Sequence, residues 1–86
     1  MAGAIAEFQE TIRLNPDAVG AYYNIALGYA RQGNKEEACK YAYQAGECYL
    51  RLKNNSQAAR MAVLLSKIDQ NSPYLPKLRN KIAAAK

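Results

Sequence analysis

The chain repeats itself at short range, and that limits its folds more than any single residue does. Residues 23–42 (YNIALGYARQGNKEEACKYA) and 43–62 (YQAGECYLRLKNNSQAARMA) align without a gap at an offset of 20 residues. The alignment pairs Tyr23 with Tyr43, Tyr29 with Tyr49, Arg31 with Arg51, Asn34 with Asn54, Ala38 with Ala58 and Ala42 with Ala62. An offset of one helix plus one turn means that the same helix-turn-helix pattern is written twice, with the middle helix serving both copies.

Breakers set the boundaries. Asn15-Pro16-Asp17, Gly33-Asn34 and Asn71-Ser72-Pro73 are the strong ones, with a softer Lys53-Asn54-Asn55-Ser56 between the last two. Proline disfavours helix in the residue before it, Gly and Asn tolerate left-handed helix ends, and Asp or Ser can cap the helix that follows. Five helices are predicted, at about 3–14, 17–32, 35–52, 56–69 and 73–85. Each carries an apolar stripe at helical spacing: Ile5, Phe8 and Ile12; Tyr22, Ile25, Ala26 and Tyr29; Ala38, Tyr41, Ala42, Ala45 and Tyr49; Ala58, Met61, Ala62 and Leu65. Short loops force neighbouring helices to run antiparallel, so the fold class is all-α, a row of helical hairpins.

Composition supports this class and narrows the chemistry. Half of the 86 residues are hydrophobic, but Trp is absent, Phe occurs once, and Ala, Leu, Ile and seven Tyr carry the apolar mass. That mixture suits closely packed helices in one small domain, with little room for a large internal cavity. No His is present, which removes the commonest general base and metal ligand together. Ser occurs at 56, 66 and 72, outside any nucleophile-elbow context, and Glu36-Glu37 falls at a helix start, where carboxylates suit the helix dipole. Cys39 and Cys48 lie nine residues apart, on opposite sides of one helix, and read as reduced packing residues. The expectation is a non-enzyme without cofactor or metal. No run nears the length of a membrane span and MAGAIAEFQE does not read as a signal peptide, so a cytoplasmic chain that does not insert into membranes is expected.

From these residues the chain resembles the tetratricopeptide repeat (TPR) family. Tyr22, Ile25-Ala26, Tyr29, Gly33-Asn34, Ala38 and Ala45 stand at the spacing of that family's degenerate 34-residue unit, and Ala4, Phe8, Thr11 and Pro16 fit the second half of a preceding unit. The resemblance covers residues 4–49. It implies a short right-handed superhelix, read as a single domain over 1–86: 1–16 the second helix of a partial repeat, 17–52 the best-matching hairpin, 53–86 a diverged hairpin and closing helix. Two departures are informative. Ala42 takes a usually aromatic place and Leu50 replaces the expected proline, so the third helix is expected to run on for about 18 residues, roughly 27 Å.

The resemblance also implies a function: non-catalytic binding of a peptide or partner helix in a concave groove lined by the first helix of each hairpin. Tyr23, Asn24, Leu27 and Arg31 would face that groove, and helical spacing sets residues 20, 23, 24, 27, 30 and 31 apart from the Tyr22-Ile25-Tyr29 stripe. Tyr23 and Leu27 either meet a ligand or pack on a neighbouring hairpin. Carboxylate-clamp members of the family carry Lys and Asn where Tyr23 and Leu27 stand, which points here to an apolar or mixed peptide. Two other partners follow from the sequence. The first unit lacks its own first helix, as in a chain cut from a longer array, and the open flank of helix one suggests self-association. Residues 51–86 hold eight basic residues against Asp69 alone, so Lys77, Arg79 and Lys81 are the candidates for contact with nucleic acid or another anion. Those charges are spread around their helix without a nucleic-acid motif, which makes a solvated face the better reading of them.

Overall fold

In the computed structural model, which describes residues 2–85, five helices follow one another: α1 (Ala2–Leu14), α2 (Val19–Arg31), α3 (Lys35–Arg51), α4 (Asn55–Ile68) and α5 (Tyr74–Ala84). No strand occurs among the described residues. Consecutive helices pack on each other, and α5 also packs on α3. The middle helix is thereby the hub, covered by α2 on one side and by α4 and α5 on the other. The result is a slab 37 × 28 × 15 Å.

The repeated pattern produces a repeated turn. After α2 the amide of Gly33 donates to the Ala30 carbonyl and that of Asn34 to the Tyr29 carbonyl; after α3, Lys53 donates to Leu50 and Asn54 to Tyr49 in the same way. In each case the chain reverses through a left-handed residue, Gly33 at φ 81° and Lys53 at φ 63°. The next Asn caps the following helix, Asn34 Oδ1 accepting from the Glu37 amide at 3.3 Å and Asn54 Oδ1 from the Gln57 amide at 3.2 Å. Asp17 behaves otherwise. No side chain caps α2, because the helix starts at Val19 and its cap position is Ala18, one residue past Asp17, whose carboxylate accepts from Arg51 at the end of α3, 3.0 Å away. At the last turn Ser72 is buried, and its Oγ accepts from the Tyr74 amide.

The core is built from small residues. Ala21, Ala26, Ala38, Ala42, Ala45, Ala58 and Ala62 are all buried, so the helix axes approach closely and the larger side chains fill the remaining gaps. Ile25, Leu65 and Leu78 are the largest side chains without solvent access. Tyr29 stacks on Tyr41 with ring centroids 5.8 Å apart, and Gln9 of α1 donates to the Tyr41 hydroxyl, which joins three helices at one aromatic pair. The closest approach lies between α3 and α5. A Cβ placed on Gly46 would sit 2.7 Å from Leu78 Cδ1, so only glycine admits that leucine. Cys39 and Cys48 are free thiols, buried on different sides of α3. Burial raises both above the ordinary thiol value of 9.0.

Candidate partner-binding groove

Helices α2 and α4 both lean on α3 and leave a furrow between them. Its hollow, about 380 Å³, is lined by Tyr23 from α2, Tyr49 from α3, and Gln57, Arg60, Met61, Val63, Leu64 and Lys67 from α4. The floor is apolar. Every charged group on its wall is a cation, since Arg60 and Lys67 face it and no acid does. Tyr23 stands over it with 37% of its surface exposed.

The four residues expected to face a groove are distributed unequally. Tyr23 lines the hollow itself. Asn24 and Arg31 are exposed on α2 outside that lining, and Leu27 is partly buried. None of the four belongs to the buried face of α2, which consists of Ala21, Ile25, Ala26 and Gly28.

The opposite wall was not anticipated from the sequence. Gln57, Arg60, Leu64 and Lys67 fall at i, i+3, i+7 and i+10 on α4, a face of its own beside the buried Ala58, Met61, Ala62 and Leu65. The signal that finds this face is the match between two stripes. Met61, Ala62 and Leu65 have the same spacing as Ile25, Ala26 and Tyr29, which marks α4 as a second helix of the α2 type. The offset between the two stripes is 36 residues, two beyond a 34-residue register, with the 17-residue α3 lying between them.

The basic candidates separate. Lys81 donates to Glu47 at 2.6 Å and lies 5.7 Å from the centre of the Tyr43 ring. Lys77 lies 5.8 Å from that of Tyr74, and the two tyrosines pack at 5.2 Å. Arg79 is elsewhere, on a second hollow of about 240 Å³ lined also by Ala59, Ala62, Val63 and Ile82. Among the described residues, no group of three or more His, Cys, Asp and Glu side chains is placed to hold a metal ion. No helix there is long and apolar enough to cross a membrane. Neither the curated proteins nor the solved structures gave a significant match to the chain. Residues 20–44 match the model of one protein family, whose description is tetratricopeptide repeat.

Proposed function

From the premise that residues 20–44 are a tetratricopeptide repeat, and thus from a chain built for protein–protein interaction, we propose that the furrow between α2 and α4 holds an extended peptide or a partner helix. The observation that carries this reading is the shared hollow, in which Tyr23 of the repeat faces an apolar floor of Met61, Leu64 and Tyr49. A tyrosine offers a flat apolar face with a polar tip, and Asn24 and Arg31, exposed elsewhere on α2, would orient a peptide backbone as donors. The ligand buries apolar surface against the floor while Arg60 and Lys67 favour acidic flanks.

The chain in this reading is one repeat domain of the cytoplasm, an adaptor rather than an enzyme, needing no cofactor. The absence of histidine from all 86 residues supports it, as does a core made of alanines rather than of polar groups around a cavity. The test is capture of partners by the immobilised chain, compared with a Tyr23→Ala, Leu27→Ala variant. Loss of the captured species with unchanged circular dichroism is expected. Unchanged capture would overturn the groove, and collapse of helicity would show that Tyr23 and Leu27 are core residues.

A further inference from the structure

The two ends of the slab differ in both shape and charge, and the difference makes them complementary. At the amino-terminal end the outer flank of α1 presents Glu7 and Leu14, seven residues apart on one helical face, with Leu14 70% exposed. Glu10 on the same helix is taken by Arg13, whose Nε donates to it at 3.0 Å, whereas Glu7 has no ion-pair partner among the described residues. At the other end α4 and α5 form the hollow lined by Ala59, Ala62, Val63, Ile82 and Arg79. Val63 is 53% exposed there, and Arg79 too lacks an ion-pair partner among the described residues. The two helices behind the hollow carry five cations and no acid.

We infer that copies of this chain associate head to tail, the α1 flank of one copy seating Leu14 in the α4–α5 hollow of the next and bringing Glu7 to Arg79. Charge decides the polarity. Two hollow ends set against each other would oppose their Arg79 guanidiniums, and two α1 flanks would oppose their glutamates, so both symmetric pairings are disfavoured while the mixed pairing is attractive. Shape agrees, since one end offers an exposed leucine and the other a hollow lined by Ala59, Ala62, Val63 and Ile82. A head-to-tail contact is heterologous, so it leaves an unused end on every assembly that does not close into a ring and does not stop at the dimer. This inference extends the repeat reading but does not use the α2–α4 furrow.

The experiment is sedimentation of the 86-residue chain over a concentration series, with Glu7→Lys and Arg79→Glu variants. Both positions are exposed, so both variants should keep the wild-type circular dichroism. The wild type should grow in average mass without a plateau at the dimer, and less so in high salt. Each substitution alone should weaken association about tenfold or more by replacing attraction with repulsion, although one raises the net charge and the other lowers it. A one-to-one mixture of the two variants should associate again, because every junction then joins unlike charges. Tyr23→Ala should associate as the wild type does, which separates this proposal from the groove. A wild type that stays monomeric into the high-micromolar range, a plateau at the dimer, an Arg79→Glu variant that associates normally, or a mixture that fails to recover would each overturn it.

Discussion

At the scale of the residue, two positions with the same backbone job carry different side chains. Gly33 and Lys53 both sit in the left-handed region after their helices, but only glycine adopts it without steric cost. Lys53→Gly should therefore stabilise the fold by about 0.5–1 kcal/mol, and Gly33→Ala should destabilise it by about 1 kcal/mol, both read as shifts in the urea midpoint. Gly46 is constrained by space rather than by φ. Gly46→Ala should cost about 1–3 kcal/mol, because the new methyl meets Leu78, which is fully buried and cannot swing out. The three glycine-type sites differ in how visible they are from the sequence. Gly33 beside Asn34 announces a turn. Lys53 stands before Asn54 in a softer breaker without a glycine, and its left-handed backbone matches that of Gly33, with which it aligns. Gly46, in mid-helix, reads from the sequence as a weak helix former, since Leu78 lies on a different helix and only the packing joins them.

At the scale of the element, the helices are delimited by their own sequence and held by side chains far along the chain. Asn34→Ala and Asn54→Ala should each cost about 1 kcal/mol by leaving the Glu37 or Gln57 amide without its acceptor, measurable by thermal melting. Breakers and apolar stripes made all five helices legible to within two residues at each end, because those signals are local. Long-range choices were not legible. Asp17 reads as a helix cap, but the helix starts two residues later, past Ala18, and the Asp17 carboxylate is bound instead by Arg51 of α3. That pair is more than half exposed on both sides, so its worth is at most about 1 kcal/mol. Of the hollow's lining, the sequence named Tyr23 alone as a groove residue. That residue follows from the family spacing, whereas the α4 wall was hidden because its stripe follows that of α2 at 36 residues, two out of the 34-residue register.

At the scale of the whole molecule, the burial of titratable groups sets how the fold responds to base. Burial is the main cause of the raised values of Cys39, Cys48 and Tyr22, whose ordinary values are 9.0, 9.0 and 10.0. A group raised in the folded state holds its proton there after the unfolded chain has lost it. Stability is therefore complete below about pH 9 and declines as pH rises through and beyond that value, by up to about 1.4 kcal/mol per pH unit for each group. The melting temperature should be level from pH 7 to 8.5 and fall above 9, and a Cys39→Ala, Cys48→Ala variant should lose most of that slope. The central place of α3 has a consequence of another kind, for the order in which the molecule opens. Its amides lie under α2, α4 and α5, and with α3 gone only the smaller α1–α2 and α4–α5 contacts remain to hold the other helices. Hydrogen exchange should accordingly be slowest in the middle of α3 and quicken outwards towards α1 and α5. The terminal helices would fray and re-dock many times for each global unfolding, around a centre that is the last part to open and the natural place for refolding to begin.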